Sequence, residues 1–256
     1  KYYSTGSIFA DWIDVYARRS DNGADVIAVV DARHPGVTHS DDWDGFGQRT
    51  TGSGTSVYVD VPLTAEHVIP FETRFKYQTA FYQLVLLAVL AGIGRAIERD
   101  VTQEIRERKR VFSHGNADTA RGDAQIQQVV GQISAQVYAA EAATLRCAGP
   151  LQRAYVARFG NDEALERQAN IDAEIETAKA QVVVSELILR AASDLFNALG
   201  ASGVSVSKSL DRHWRNARTA ASHNPWIYKA RIVGDWKING TEPLYVWQIG
   251  NSLKAG

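Results

Sequence analysis

The spacing of apolar residues changes near residue 75, from short alternating runs to recurrences every three or four positions. That switch constrains the fold more than any other feature. Strands followed by helices, rather than the two in alternation, predict an α+β chain with a β domain over residues 1–75 and a helical domain over residues 76–256. Before the switch, residues 26–30 form a β-branched run and residues 56–61 alternate as SVYVDV. Both are bounded by the turn formers Gly, Asp and Pro. Asn22-Gly23 and residues 51–54 read as turns. The glycines and Trp12 and Trp43 of this region suit a small antiparallel sheet or barrel closed by loops, without a long helix.

After the switch, the stretch from Tyr77 to Gly94 carries no charged residue. Its length reaches the lower limit for a membrane span, but Gln78, Thr79 and Gln83 interrupt it and Arg95 closes it. A helix buried at the centre of a bundle is expected, with a charged continuation to Arg110. A second helix is predicted from Asp123 to about Arg158, with Ile126, Val130, Ile133, Val137 and Ala140 on one face and a kink or split at Gly149-Pro150. A third runs from Asp162 to about Leu199, its inward stripe Ile171, Ile175, Ala178, Val182, Leu189, Leu195 and Leu199, its terminator Gly200. A fourth should begin near Val206, include Leu210, Trp214 and Ala217, and end before Asn224-Pro225, because the residue preceding proline disfavours helix. Long helices joined by short connections predict an up-and-down four-helix bundle. Residues 235–256, with Trp236, Tyr245 and Trp247, read as an ordered tail packed on something else.

Charge and composition exclude several partner classes. The formal net charge is −1, from 28 basic and 29 acidic side chains. That balance excludes the uniform positive field of a dedicated nucleic-acid binder, so neither a nucleic acid nor a membrane is expected as a partner. The single Cys147 and the lack of a leader-like opening favour a reducing cytoplasm. The chain has no Met and begins at Lys1, so a piece of a longer product is expected.

The His residues at 34, 39, 67, 114, 213 and 223 show no HxxxH pair with an accompanying Glu, and there is no CxxC, so no metal site is expected. No GxSxG supports a serine hydrolase, and no GxGxxG opens a helix after a strand. The basic run from Arg106 to Arg110 fits either a solvated helix end or a phosphate clamp. The densest set of reactive side chains runs from Asp211 to Thr219, where Asp211 and Arg215, and Arg212 and Asn216, are spaced to pair on a helix. His223 follows, at the helix exit beside Asn224-Pro225. Structural and catalytic readings of it both stand.

Three stretches carry a family resemblance: KYYSTGSIFADWI at 1–13, WDGFGQRTTGSGT at 43–55 and LDRHWRNARTAASHNPWIYKARIVGDWKINGTEP at 210–243. The chain resembles the acyl-CoA dehydrogenase fold family and, within it, the flavin-dependent monooxygenases of the dibenzothiophene monooxygenase type. The resemblance implies a central antiparallel β-barrel followed by a C-terminal four-helix bundle, with the family's N-terminal helical domain absent from this stretch. It implies flavin contacts from Tyr3, Ser4 and Thr5, a hydroxyl of Ser4 or Thr5 lying near flavin N5. It implies a phosphate contact from Arg110, through the match to Arg110-Val111-Phe112. Backbone contacts to a neighbouring subunit's flavin are implied from residues 197–203, including Gly200 and Gly203, and with them a homo-oligomer, usually a tetramer.

Where acyl-CoA dehydrogenases carry a Glu base, this chain reads Ser222-His223-Asn224-Pro225, and the family's alternative position falls near Tyr82. A dehydrogenase without its carboxylate has nothing to take the proton. The resemblance therefore implies the oxygenase component of a two-component system, using reduced FMN from a separate flavin reductase, or FAD, with dioxygen. A C4a-hydroperoxyflavin would oxygenate a small apolar, aromatic or organosulfur substrate. His223 and Ser4 are the implied catalytic residues, and Trp43, Phe81, Trp226 and Tyr228 the implied pocket walls. Two alternatives remain at this stage: an acyl-CoA dehydrogenase-type oxidoreductase with a relocated base, and a non-catalytic flavin-fold scaffold.

Overall fold

The computed structural model describes residues 1–244, in two compact units, one of Lys1–Phe75 and the other beginning at Lys76. In the first, β1 (Trp12–Arg18) and β2 (Asp25–Asp31) pair antiparallel, with Ile13 opposite Val30 and Val15 opposite Ala28. Alternation puts these four side chains on one face, where they form the unit's small core. The connecting turn uses both predicted residues. Asn22 Oδ1 accepts from the Ala24 N–H at 2.9 Å, and Gly23 takes φ +72°, a conformation that costs any side chain strain. β5 (Val68–Pro70) lies antiparallel on the other side of β2, and β3 (Val37–His39) and β4 (Ser56–Tyr58) form a separate two-stranded ladder.

The expected β-barrel does not close among the described residues, which hold a three-stranded and a two-stranded sheet. Closure needs a continuous ladder around the ring, and β3, β4 and β5 are too short to supply one. The alternating run 56–61 predicts a longer strand than β4. Asp60 adopts φ +50° and turns the chain, so pairing stops at Tyr58. Between β3 and β4 the chain is a loop, tied by the Asp42 carboxylate, which accepts from the Thr55 N–H at 2.7 Å and its hydroxyl at 2.8 Å.

The second unit contains α1 (Gln78–Glu107), α2 (Ala124–Arg146), α3 (Ala148–Ala157), α4 (Glu163–Leu199), α5 (Asp211–Ser222) and α6 (Ile227–Asn239). Helix α1 runs parallel to α4: Thr79 meets Glu174 near one end, and Arg108 reaches the Ala198 and Leu199 carbonyls at the other. Helix α2 runs antiparallel to α4, with Gln136 bonded to Asp194 and Arg146 to Glu176. Helix α5 is antiparallel to α1, pairing Asp100 with His213 and Glu104 with Lys208. The result is the predicted up-and-down bundle, its core built on Leu87, Leu90, Ile97, Ile133, Val184 and Ile188. At Gly94 a Cβ would lie 2.6 Å from Ile188 Cδ1. That Gly is what lets α1 and α4 approach.

Several boundaries differ from expectation for identifiable reasons. The break between α2 and α3 falls at Cys147, not at Gly149-Pro150, because a proline ring clashes with the carbonyl four residues earlier, and α2 ends at that residue, Arg146. Val182 and Leu189 are only half-buried, while Val184 and Ile188 are sealed and carry the inward stripe of α4. α5 starts at Asp211 after a separate turn of Val206–Lys208, the two divided by Ser209 at φ +51°. Asp235 and Trp236, expected in a tail, belong to α6, which starts just after Pro225, where a fixed φ and a missing N–H do no harm. Tyr245 and Trp247 lie outside the described residues. Helix α1 has the length and apolar content of a membrane span, yet Leu87, Leu90, Ile97 and Val101 are sealed in the bundle while Phe81, Tyr82, Val85 and Val89 face outward.

Replacing the fully buried Ile188 by Ala removes the side chain that fills the Gly94 gap. The unfolding free energy should drop by about 2–5 kcal/mol. Urea titration checks this through a lower midpoint at unchanged m.

Candidate active site

In the first unit, the segment carrying Tyr3, Ser4 and Thr5 runs beside residues 51–56, with the Ser4 N–H donating to Gly54 O and the Gly6 N–H to Thr51 O, both at 2.9 Å. Tyr3 sits at φ +56° and its ring meets Trp43 edge-on, centroids 5.6 Å apart. Trp43 is held in turn by its indole N–H, which donates to Gly47 O at 2.9 Å. Thr51 donates its hydroxyl to Gln48 O at 2.8 Å, Ser53 lies 2.7 Å from Thr51, and Thr5 lies 2.9 Å from Ser53. Since Thr51 spends its proton on the carbonyl, the chain of hydroxyls is ordered Thr5 to Ser53 to Thr51. Ser4 stands apart from it: its Oγ is buried and has no hydrogen-bond partner among the described residues. A buried hydroxyl in that state costs stability unless something satisfies it.

In the second unit the implied site residues fall at separate levels of the bundle. His223 is the C-terminal cap of α5, exposed and backbone-bonded to Ala220, and Asn224 beside it reaches Gln181 in the middle of α4. Phe81 lies in the first turn of α1, and Trp226 and Tyr228 at the start of α6. Phe81 and Tyr228 are exposed and Trp226 is half-buried. Arg110, Gly200 and Gly203 lie at one end, beyond the C-termini of α1 and α4. Asn224, next to His223, bonds to Gln181, which precedes Gly200 by 19 residues on α4, so about 28 Å of helix separates the level of His223 from Gly200. Gly200 closes α4 at φ +62°, and a Cβ on buried Gly203 would lie 2.7 Å from Leu199 Cβ.

The basic run divides its work. Arg108 folds back, donating to Ala198 O at 3.3 Å and to Leu199 O at 3.0 Å, so it caps α4. Its Nε donates to Arg110 O at 3.0 Å, which leaves the Arg110 guanidinium exposed at the surface.

Two polar groups within the bundle, one half-buried and one sealed, were not singled out by the sequence. Asp100, on α1, accepts from Arg99, Arg212 and His213, the last at 3.0 Å. Burial pushes the Asp100 carboxyl up, but the bonds from Arg99 and His213 outweigh it and hold the group below its ordinary value. His213 is lowered by burial and by the neighbouring Arg212, against the pull of Asp100. Arg212 thus turns to Asp100 rather than to Asn216, while Asp211 and Arg215 pair as spaced, at 2.9 Å.

The second group is Glu174 on α4, sealed at 2% exposure and bonded by the Thr79 hydroxyl, its carboxyl pushed up by burial. Glu174 falls three residues after Ile171 in the inward stripe, and its place on the helical wheel was the available signal. Among the described residues no group of His, Cys, Asp and Glu has the arrangement of a metal site.

An acyl-CoA dehydrogenase-type helical bundle is therefore the class of protein to which this architecture conforms. The match to the family described as "Acyl-CoA dehydrogenase, C-terminal domain" spans residues 84–226, and the chain belongs to that family. It is 26% identical to a dibenzothiophene monooxygenase of Mycolicibacterium goodii, over 95% of this chain and 61% of that one. It is 25% identical to a probable FMNH2-dependent monooxygenase of Pseudomonas putida, over 85% of this chain and 55% of that one. Among solved structures, FMN-bound dibenzothiophene monooxygenase of Paenibacillus sp. A11-2 superposes with a TM-score of 0.85 at 27% identity, covering 96% of this chain and 64% of that one. Methanesulfinate monooxygenase of Pseudomonas fluorescens gives 0.86 at 25% identity, with the same coverage. The chain thus spans about three fifths of the length of the curated relatives it matches.

His213 titrates below its ordinary 6.5 in the folded chain, so its contribution to stability is complete above that pH. The contribution is lost as the pH falls through the lower folded-state value, because the unfolded chain takes up the proton first. His213→Gln keeps an N–H for Asp100 without titrating. Its melting temperature should fall less than that of the wild type between about pH 7 and about pH 5.

Proposed function

We propose that this chain is the flavin- and substrate-binding part of the oxygenase component of a two-component monooxygenase. It would work in the cytoplasm, with reduced FMN supplied by a separate reductase and with dioxygen, on a small apolar aromatic or organosulfur compound. The single observation that carries the reading is the turn after α5, which presents His223 and no carboxylate. The relatives named above as monooxygenases support it. So does the fit of the first unit to a flavin: the buried, unpartnered Ser4 hydroxyl is a group in need of a ring nitrogen that switches between donor and acceptor. Reduced flavin, when bound, supplies the two electrons that let one oxygen atom of dioxygen enter the substrate and the other leave as water.

The chain's own residues then divide the remaining work. Ser4 holds the flavin ring, with Tyr3 and Thr5 flanking it. His223 keeps a proton at the reacting oxygen, since an imidazole can donate or accept near neutrality. Trp43 in the first unit, and Phe81, Trp226 and Tyr228 in the second, are the apolar side chains assigned to excluding water and receiving the substrate, which suppresses loss of the oxygen as hydrogen peroxide. Arg110, Gly200 and Gly203 lie about 28 Å of helix from the level of His223, which fits a homo-oligomer, a tetramer in our reading, where they contact a flavin held mainly by another copy. A dehydrogenase reaction is the weaker reading, because Tyr82 occupies the alternative base position and Glu174 is enclosed within the bundle.

His223→Ala should lower substrate oxygenation by about 10²-fold, while reduced flavin is still oxidised and hydrogen peroxide accumulates. Normal turnover without added peroxide would remove His223 from this role. Ser4→Ala should weaken flavin binding by about 2- to 10-fold, the worth of one hydrogen bond. Fluorescence titration with FMN reads that change.

A further inference from the structure

From Ser222 to Tyr228 the chain is exposed or half-buried at every position except Asn224, which is 4% exposed. A polar residue as the only buried member of a surface turn is the reverse of the ordinary pattern. It has a partner. The main-chain carbonyl of Asn224 accepts from Gln181 Nε2, 3.4 Å away, and Gln181 is itself 5% exposed in the middle of α4. The remaining polar atoms of the pair are complementary: Asn224 Nδ2 is a buried donor with no partner, and Gln181 Oε1 a buried acceptor with none. Ser185, a turn further along α4, adds another buried hydroxyl without a partner.

We infer that Gln181 and Asn224 form an amide clamp that fixes the turn carrying His223 to the central helix, and that both are positioning residues for His223. The ring of His223 has no hydrogen bond to any described residue of the helical unit, so its direction follows from the backbone on either side of it. On the amino-terminal side that backbone is held by the N–H of His223, which donates to Ala220 O at 3.3 Å. On the carboxy-terminal side Pro225 has no N–H to give, and the Asn224 carbonyl bonded to Gln181 is the first tie to the bundle. An apolar pair would bury the same surface without fixing orientation. Buried amides fix it, because leaving either unpaired costs more than the bond returns. The clamp stands on these contacts alone; its consequence for oxygen transfer rests on the role proposed for His223.

The test reads the imidazole carbon-bound proton resonances of the six His, with that of His223 identified by its loss in His223→Ala. In Gln181→Leu the His223 resonance should shift or broaden while the other five keep their positions. In the same variant the oxygen transferred to substrate per dioxygen consumed should fall, with the KM for reduced FMN unchanged. Asn224→Ala, which keeps the main-chain bond to Gln181, should displace the resonance less, and it carries the test alone if Gln181→Leu does not fold. An unmoved His223 resonance in folded variants of both kinds overturns the clamp. A displaced resonance with undiminished coupling supports the clamp and removes the catalytic role of His223, so the two failures are distinguishable.

Discussion

Helix α4 must bury side chains along nearly its whole length, and the rest of the helical unit follows from that requirement. Helices α1, α2, α3, α5 and α6 all pack on it. A helix 37 residues long and apolar on one narrow stripe would need one partner; α4 also carries Ala173, Ala180, Ala191, Ala192 and Ala198 around its circumference. Small side chains at those places let neighbours approach on several sides, and Gly94 on α1 extends the same economy of space to the facing helix.

That central position has a chemical consequence. Polar groups on the enclosed faces of α4 cannot reach water, so Asn170, Glu174, Thr177, Gln181 and Ser185 have to find partners inside the bundle. Asn170, Glu174 and Thr177 lie in the half of α4 nearer its N-terminus, Gln181 at its middle and Ser185 one turn beyond. Toward the C-terminus of α4, Ile188, Leu195 and Leu199 are sealed apolar side chains. Order in a polar core is directional, and direction is what an exposed imidazole on a short turn requires.

Much of the helical architecture was legible because it rests on periodicity and on terminators that act locally. Asp162 caps α4 through the Leu165 N–H at 3.0 Å, and Gly200 ends it in a conformation that suits glycine. The hairpin turn at Asn22-Gly23 was legible for the same reason. The failures share a cause of the opposite kind. The ends of β4 and α5 depend on single non-glycine residues, Asp60 and Ser209, held at positive φ by their surroundings, and no pattern announces that. Arg212 offered the sequence a partner four residues away and took Asp100 instead, more than a hundred residues distant, because desolvated charges seek the strongest available complement.

By itself, the sequence determined the order of strands and helices, the bundle's direction changes, and the presence of His223 and no carboxylate in the turn after α5. These are properties of residue type and spacing along the chain. Tertiary structure alone decided which side chains meet: that the buried Ser4 hydroxyl finds no partner among the described residues, that Arg108 rather than Arg110 closes on α4, that Arg110 and His223 stand at different levels of one bundle, and that Gln181 holds Asn224. Such pairings depend on distances in space between residues far apart in the chain. A one-dimensional pattern specifies the face a residue occupies, and only packing specifies the neighbour it finds there.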